Sequence, residues 1–359
     1  MRELFARDSR SEEQRCDWVR RFESPGTRRA ILGTNHWAKS VALHLTIDYF
    51  IDDFNASSEF CGRPIVRSID AEKEVATLSA VVGSRPLSAR EVLRKTVDSH
   101  LDYFSFMRHT TLAVDRIRHL SDEVDWSLER SASLGQLREL LYDEVSRETF
   151  DRVVALRRDL DIESMVVFSD RQNEQYFEPF IRLAATDVFL DVGAFDGFTT
   201  DCLRQIYGEE VDCLLFEPNP EMANLLRQKF KDDVRLKIHE CALADKSEVT
   251  SFIQEGSSSR VGPGDTAIKV ETLDSFALDR VDFIKVDIEG AEASFIEGAR
   301  QTLVRCQPQV AIACYHSNAQ LGDVFRRLNE VMPNARVYLR HYTEGFVETD
   351  LFFVPPRFW

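Results

Sequence analysis

The sequence has few cysteines, and no two of them form a C-x-x-C pair. They are dispersed over the 359 residues: Cys16, Cys61, Cys202, Cys213, Cys241, Cys306 and Cys314. Because closely spaced cysteines mark most zinc sites and redox dithiols, the pattern predicts neither, and we expect small buried thiols. Residues 1–29 mix Arg with Glu and Asp and lack the apolar centre of a signal peptide, so we expect a cytoplasmic protein.

Long apolar runs and an excess of positive charge are missing as well. No run approaches the ~20 apolar residues that cross a bilayer, so no membrane span is predicted. Lys and Arg number 45 against 61 Asp and Glu, which gives a net charge of −16. An acidic chain is poorly suited to a nucleic-acid backbone, and we expect a small polar molecule as partner instead. The length predicts two domains of about 150 residues each.

The first half also lacks the glycines of a dinucleotide fingerprint. Apolar residues 30–32 predict a strand, but Gly33 stands alone in the following turn, where G-x-G-x-x-G would hold a pyrophosphate. A helix and a second strand ending at Asp52 complete a βαβ unit. We therefore interpret 1–28 as an N-terminal arm and 29–87 as a small Rossmann-like domain. Its role stays open between nucleotide or nucleotide-sugar binding and a scaffold.

Residues 88–175 follow a helical pattern. A Ser-x-x-Glu capping box at Ser88 precedes apolar residues at helical spacing, which predicts a connector of three or four helices. His100, His109 and His119 lie within this segment. Isolated histidines on helix faces are usually solvated, so we predict no metal site there.

The most informative stretch belongs to a second domain, predicted over 176–359, whose first residues 176–183 predict a short amphipathic helix that leads into a strand. Apolar residues 188–190 predict a buried strand that ends at Asp191, and Gly193 and Gly197 lead into a helix. Such a turn lets the backbone approach a ligand beside free helical N–H groups. The Asp-x-Gly-x-x-x-Gly spacing suits a ligand with hydroxyls and an amino-acid head, such as S-adenosylmethionine.

Strands and helices alternate through the rest of this domain, which predicts a mostly parallel sheet. Asp191, Glu217, Asp287 and His316 each follow an apolar strand, so we expect them to converge at one edge of the sheet. Two carboxylate oxygens at Glu217 match the cis-diol of a ribose. Residues 257–264 are rich in Ser, Gly and Pro and predict a flexible loop.

Several motifs in this half resemble one known family. They are Asp-Val-Gly-Ala-Phe-Asp-Gly at 191–197, Phe-Glu-Pro-Asn-Pro at 216–220, Ala-Leu-Ala-Asp at 242–245, Thr-Leu-Asp-Ser at 272–275 and Ile-Lys-Val-Asp-Ile-Glu-Gly-Ala-Glu at 284–292. Together they resemble the FkbM-type family of S-adenosylmethionine-dependent methyltransferases. The resemblance implies an α/β class I methyltransferase fold with a Rossmann-like seven-stranded sheet. It also implies O-methylation of a sugar, nucleotide-sugar or natural product.

The resemblance assigns residues to the cofactor S-adenosylmethionine. Asp191, Gly193 and Phe195 would meet its methionine end, in the turn after the first strand. Ala242, at the end of the third strand of this domain, would lie near the adenine through its backbone, with Asp245 as a partner of the adenine amine. The first half resembles the Rossmann-like domain that accompanies such enzymes in carbohydrate pathways.

Methyl transfer to a hydroxyl needs a base within hydrogen-bond reach, because a hydroxyl is a weak nucleophile. Asp287 and His316 are the candidates from the strand-end argument, and His316 has an ordinary pKa near 6.5. Glu289 is a third candidate base or a helix cap. Asp287, Glu289 and Glu292 could instead bind Mg²⁺, a reading that we do not favour. Methylation of nitrogen or a carboxylate, and a non-catalytic nucleotide-sugar-binding protein, remain alternatives.

Overall fold

The computed structural model describes residues 1–122, 134–135, 137–253, 260–261 and 266–359. Contacts group the chain into two compact units. The first comprises Met1–Glu123, Glu148–Gln172 and His341–Val347, and the second comprises Val124–Arg147, Asn173–Arg340 and Glu348–Trp359. These units differ in extent from the predicted segments, since each is built from separate stretches of sequence. No described helix is long and apolar enough to cross a membrane.

The first unit contains a six-stranded sheet with the order β3-β4-β2-β1-β5-β6. Its strands are β1 Arg29–Leu32, β2 Tyr49–Ile51, β3 Glu59–Phe60, β4 Arg63–Val66, β5 Ala76–Ser79 and β6 His100–Asp102. Strands β1, β2, β4, β5 and β6 pair in parallel, as expected of a Rossmann-like unit. The helices of the described part are Glu12–Glu23, His36–Ala42, Pro86–Thr96, Tyr103–His109 and Glu144–Asp159; the last of these runs across the boundary between the units.

Two features of the predicted helical segment 88–175 differ in the structure. Residues His100–Asp102 are a strand that pairs with β5 at the sheet edge. The preceding helix begins at Pro86 rather than after a cap at Ser88. Proline is favoured in a first helical turn, where its missing N–H would have had no partner. Among the described residues, His100, His109 and His119 join no cluster of metal-binding groups.

The second unit contains the predicted seven-stranded sheet, with the order β16-β17-β15-β14-β7-β8-β9. Its strands are β7 Val188–Val192, β8 Asp212–Phe216, β9 Leu236–His239, β14 Phe283–Val286, β15 Gln309–Ala313, β16 Arg336–His341 and β17 Thr349–Val354. Strands β9, β8, β7, β14 and β15 are parallel, whereas β17 is antiparallel to β15. The helices are Phe198–Tyr207, Pro220–Lys229, Glu292–Gly298, Arg300–Cys306 and Gln320–Val331.

A second, four-stranded sheet in this unit has the order β10-β13-β11-β12. It consists of β10 Ala242–Leu243, β11 Glu248–Ile253, β12 Arg260–Val261 and β13 Thr266–Glu271. Most of the predicted loop 257–264 lies outside the described residues. The sheet changes the predicted position of Ala242, which we expected at the end of the third strand. That strand ends at His239, and Ala242 pairs with β13 instead.

The short amphipathic helix predicted before β7, over 176–183, is wrong. The segment is irregular there, and Tyr176 has a positive φ of 72°. Pro179 lacks an N–H for a helical hydrogen bond, so both residues oppose a helix. Phe180 stacks on Tyr338 at 4.0 Å between ring centroids. The apolar residues of this segment therefore serve side-chain packing against the sheet rather than a helical face.

Candidate active site

The turn after β7 packs directly on the end of β14. Gly193 has a φ of +81°, and a Cβ placed there would lie 1.9 Å from the carbonyl oxygen of Asp287. The N–H groups of Gly193 and Ala194 donate to the Phe216 carbonyl, at 3.0 and 3.2 Å. Only glycine permits both the conformation and this approach. The turn is thereby held between the carboxyl ends of β8 and β14.

Asp191 is fully buried beneath this turn, with 0% exposure. Its Oδ2 accepts a hydrogen bond from Thr200 at 2.9 Å, and its Oδ1 lies 3.1 Å from the Lys285 ammonium. Lys285 also donates to the Gly193 carbonyl at 2.5 Å. Burial alone would lower the pKa of Lys285, but the carboxylates of Asp191 and Asp287 outweigh burial and raise it. Asp191 and Lys285 therefore form a buried ion pair that supports the turn.

Sequence reasoning missed Lys285, although a signal was present. A lysine interrupts the apolar run Phe-Ile-Lys-Val of a strand that is buried along its whole length. A buried lysine needs a charged partner, since an unpaired charge inside a protein is costly. The partner available at the same edge of the sheet is Asp191.

Glu217 follows β8 and is 6% exposed. Its Oε2 accepts from the Phe195 N–H and its Oε1 from the Asn219 N–H, each at 2.8 Å. Burial raises the pKa of Glu217, while these two backbone hydrogen bonds oppose the shift. Each oxygen keeps a further lone pair for a hydroxyl donor. The Phe195 side chain is 36% exposed beside it, on a backbone with a φ of +47°.

Asp245 lies beside the helix Glu292–Gly298. Its Oδ1 accepts from the Ser294 hydroxyl at 2.7 Å, and a Cβ at Gly298 would lie 1.9 Å from the Ala244 carbonyl oxygen. His239, the last residue of β9, stacks on Phe216, the residue before Glu217, with 4.9 Å between the ring centroids. The structure thus gives Asp245 a partner on this helix and gives Ala242 a place in the four-stranded sheet.

Asp287 directly follows β14, and its N–H donates to the Val192 carbonyl at 3.0 Å. Its side chain is 20% exposed. The Oδ2 atom accepts from the hydroxyls of Tyr176 at 3.1 Å and Tyr315 at 3.3 Å. The Oδ1 atom lies 3.4 Å from Nε2 of His316. The carboxylate is therefore held in a fixed orientation at the sheet edge.

His316 is buried among carboxylates. Its Nδ1 lies 3.1 Å from Glu292 Oε1, and its Nε2 lies 3.7 Å from Glu289 Oε2. Burial alone would lower the pKa of the imidazole, but Glu292, Asp287 and Glu289 outweigh it and raise the pKa to about 9. Glu289 has a φ of +56°, a strained conformation of the kind often found at functional sites. The structure thus brings together Asp287, Glu289 and His316, the three candidate bases.

Two further acids from β17 and the turn before it join this cluster. Burial raises the pKa of Glu348 to about 7, and Asp287 adds to the shift. Burial and Glu348 likewise raise the pKa of Asp350 well above its ordinary value. The Gln175 amide donates to both, at 2.7 and 2.9 Å. Nothing in the sequence pattern identified Gln175, Tyr176 or these acids, because the first two lie in an irregular segment, and Glu348 precedes and Asp350 lies in an antiparallel strand.

Asp287, Glu292 and His316 lie close enough together to hold a metal ion. However, Glu292 faces Nδ1 of the ring, whereas Asp287 faces Nε2. The two N–H groups of a protonated imidazole satisfy this arrangement without an ion. We therefore assign none of these residues as a metal ligand.

Comparison with known proteins bears on the second unit and on the whole fold. Residues 191–342 match the family profile described as the methyltransferase FkbM domain. The chain is similar to the crystal structure of the methyltransferase FkbM from Methylobacillus flagellatus KT, with a TM-score of 0.74 and 21% identity over 98% of this chain and 94% of that chain. No curated protein matches the chain.

Weaker structural matches cover about half of the chain. One is the fibrillarin of Aeropyrum pernix in complex with natively bound S-adenosyl-L-methionine, with a TM-score of 0.36 and 13% identity over 52% of this chain and 74% of that chain. Another is an S-adenosylmethionine-dependent O-methyltransferase from Thermotoga maritima, with a TM-score of 0.34 and 11% identity over 52% of this chain and 65% of that chain.

Proposed function

Because residues 191–342 match the family profile of the methyltransferase FkbM domain, we propose that the protein is an S-adenosylmethionine-dependent methyltransferase that methylates a hydroxyl group of an uncharged sugar or natural product. Asp287 is the base in this proposal. The main observation in support of this proposal is the close contact between the Gly193 turn and Asp287. A Cβ atom at Gly193 would lie 1.9 Å from the Asp287 carbonyl oxygen. This contact joins the proposed cofactor residues to the proposed base.

The residues present fit S-adenosylmethionine. The Gly193 turn leaves no room for a side chain, and the Glu217 carboxylate is oriented by two backbone N–H groups. In the proposal, Glu217 holds the ribose hydroxyls, and Asp191, Gly193 and Phe195 support the amino-acid end. When bound, S-adenosylmethionine supplies a methyl group activated by its sulfonium.

Ala242 and Asp245 remain our candidates for the adenine side of this site. In the proposal, Ala242 contributes backbone groups from β10, and Asp245 contributes its carboxylate. The Ser294 hydroxyl donates to Asp245 Oδ1 at 2.7 Å and fixes that side chain. A carboxylate can accept further hydrogen bonds, so this contact leaves capacity for an amine donor.

Asp287 is the stronger of the candidate bases. Its side chain is partly exposed, at 20%, whereas the His316 side chain is almost fully enclosed. With a pKa raised to about 9, His316 already carries its proton near neutral pH and cannot accept another. Glu289 Oε2 lies 3.7 Å from the same imidazole Nε2, and Glu289 is the second carboxylate that could receive the proton. In the proposal, Asp287 orients the acceptor hydroxyl and takes up its proton as the new bond forms.

The charge around Asp287 favours an uncharged acceptor. Glu289 and Glu348 add acidic groups from neighbouring segments, and burial with nearby carboxyls raises the pKa of Glu348 to about 7. A phosphate next to the reacting hydroxyl would meet like charges in a poorly solvated site. We therefore favour a free sugar or natural product over a nucleotide-sugar whose diphosphate lies beside the hydroxyl.

The first test is calorimetric titration of S-adenosylmethionine into Glu217→Gln and a matched control, Glu221→Gln. Glu221 is exposed on the helix that follows Glu217. A glutamine at position 217 has one acceptor oxygen in place of two, so it cannot accept a hydrogen bond from each ribose hydroxyl on a separate oxygen. We therefore expect the Kd for S-adenosylmethionine to rise at least about tenfold, equivalent to about 1.4 kcal/mol. The control should bind like the unmodified protein. Equal affinity in both variants would remove Glu217 from the cofactor site.

The second test identifies the acceptor group. S-adenosylmethionine with a labelled methyl group is offered with a panel of free sugars, nucleotide-sugars, polyketides and amines. We expect labelled methyl ethers, which resist mild alkali, whereas methyl esters are hydrolysed. Labelled N-methyl or ester products alone would contradict O-methylation and favour the alternative reactions.

A further inference from the structure

We infer that Glu292 is a positioning residue that holds His316 as a fixed imidazolium beside Asp287. This inference rests on the proposed function for the role of Asp287, but the geometry of the pair is independent of it. Sequence patterns gave Glu292 no role other than a possible Mg²⁺ ligand. The structure makes it the anchor of the cluster instead.

Glu292 is fully buried, with 0% exposure, in the first turn of its helix. Its Oε1 accepts from the Ile288 N–H at 3.1 Å and the Gly290 N–H at 3.4 Å, and it lies 3.1 Å from His316 Nδ1. The Gln320 amide donates to its Oε2. These donors come from the loop after β14, from the segment after β15 and from a separate helix. The carboxylate is therefore held on both oxygens.

The same glutamine fixes the histidine backbone. The His316 N–H donates to Gln320 Oε1 at 2.6 Å, while the Gln320 amide nitrogen holds Glu292. The His316 backbone and the Glu292 carboxylate are thus tied to one side chain. Tyr315 packs beside the ring at 4.2 Å between centroids. Rotation of the ring away from Glu292 would break the bridge and leave a buried carboxylate without its cation.

The other ring nitrogen presents its proton to the proposed base. Nε2 lies 3.4 Å from Asp287 Oδ1 and 3.7 Å from Glu289 Oε2. Glu348 also acts electrostatically on the imidazole from the turn before β17. A positive charge here balances part of this acidic cluster and attracts the Asp287 carboxylate to one orientation. Glu292 thereby acts on the reaction through His316, without contact with the acceptor.

The charge state of His316 follows from these neighbours. Its pKa of about 9 reflects carboxylates that outweigh burial, with Glu292 the largest contributor. Replacing Glu292 by glutamine keeps the size of the side chain and removes its charge. The burial effect, which lowers the pKa of a histidine, is then opposed only by the remaining acidic groups Asp287, Glu289 and Glu348. Neutral imidazole would become the main form near physiological pH.

The decisive experiment is a pH titration by NMR of ¹⁵N-histidine-labelled protein, with His316 signals assigned from their loss in His316→Gln. In the unmodified protein, both ring nitrogens should carry protons at pH 7, and the transition should lie near 9. In Glu292→Gln, we expect the pKa to fall to about 7 or below, a change in proton affinity of about a hundredfold. The control is Glu297→Gln, on the same helix, which should leave the titration unchanged.

A neutral His316 at pH 7 in the unmodified protein would overturn the inference, and this measurement does not depend on whether Glu292→Gln folds. A folded Glu292→Gln protein whose His316 titrates as before would overturn it as well. Measuring activity against pH tests whether the charge on His316 also affects the role of Asp287. In Glu292→Gln, kcat should fall as pH rises through the lowered pKa, with the KM for S-adenosylmethionine unchanged. A parallel loss at every pH would indicate a structural role only.

The two proposals fail separately. If the NMR titrations behave as expected but no acceptor is methylated on oxygen, the anchoring role of Glu292 stands and the proposed reaction is wrong. If methyl ethers form but His316 is neutral at pH 7, the reaction stands and the role of Glu292 is wrong.

Discussion

At the scale of single residues, the site combines a partly exposed carboxylate with buried groups that orient it. Asp287 receives hydrogen bonds from Tyr176 and Tyr315 on one oxygen and faces His316 with the other. A base that is oriented in this way needs little rearrangement when the acceptor arrives. The neighbouring residues therefore matter to catalysis even where they do not touch the acceptor.

Replacing Asp287 by asparagine tests this assignment. The amide keeps the shape of the side chain but cannot take up the proton, so we expect kcat to fall by about a hundredfold or more. The Kd for S-adenosylmethionine should stay within about threefold, because the proposed cofactor contacts lie on the Gly193 turn and Glu217. Turnover is measured as the rate at which S-adenosylhomocysteine forms.

Glu289→Gln is the matched control for that substitution. It removes a carboxylate on the same loop, also near His316 Nε2. If Glu289→Gln loses turnover while Asp287→Asn retains it, the base is Glu289. If both retain full turnover, proximity alone accounts for the rate.

The same scale shows why some site residues were predictable and others were not. Asp287 and His316 follow apolar strands, and a parallel sheet brings such positions to one edge. Asp191 was expected at the end of its strand but lies within β7, one residue before its last, and its side chain is buried against Lys285. Which way a side chain points at a strand end depends on its partners, and Lys285 lies 94 residues away in sequence.

At the scale of elements, the apolar runs identified the central strands because their burial is continuous. Strands β7, β14 and β15 are buried almost throughout. Prediction was poorer where a short element depends on a distant one. Ala242 was assigned to the end of the third strand, but it pairs with Val270 in the four-stranded sheet. The segment 176–183 was assigned a helix because its aromatic residues, which pack individually, are spaced like a helical face.

The turn before β17 supplies a prediction about stability. Burial raises the pKa of Glu348 from 4.5 to about 7, so the folded protein holds this proton more tightly than the unfolded chain does. The contribution of the Glu348 carboxyl group to the free energy of unfolding is therefore fully present below pH 4.5 and is lost as pH rises through about 7. Glu348→Gln removes the cost of the buried charge and can keep the hydrogen bond from Gln175. We expect it to stabilise the protein at pH 8 by on the order of 2 kcal/mol.

Urea unfolding of both proteins at pH 5 and pH 8 checks this expectation. The difference between Glu348→Gln and the unmodified protein should be small at pH 5 and grow by pH 8. Glu221→Gln, at an exposed position, should show no such growth. A variant that is less stable at pH 8, or a gain of equal size at both pH values, would contradict the assigned cause.

At the scale of the whole molecule, the chain has two α/β units with parallel strands, and a sheet of this kind can bind a nucleotide at its edge. The difference between them lies in the turns. The first unit has a single Gly33 after β1, and its acidic residue Asp52 is already engaged. Its Oδ2 accepts from Thr34 at 2.6 Å, and its Oδ1 accepts from the N–H groups of Phe54 and Asn55 at 2.9 Å.

This difference predicts that the chain does not bind NADH through its first unit. A dinucleotide fold uses several glycines for the pyrophosphate, and Gly33 alone does not supply them. Titration of the protein into NADH should leave the cofactor fluorescence unchanged, with a known NADH-dependent dehydrogenase as the positive control. The same protein should bind one S-adenosylmethionine per chain by calorimetry. A saturable NADH signal that persists in Glu217→Gln would contradict this prediction and favour an oxidoreductase with a dinucleotide site in the first unit.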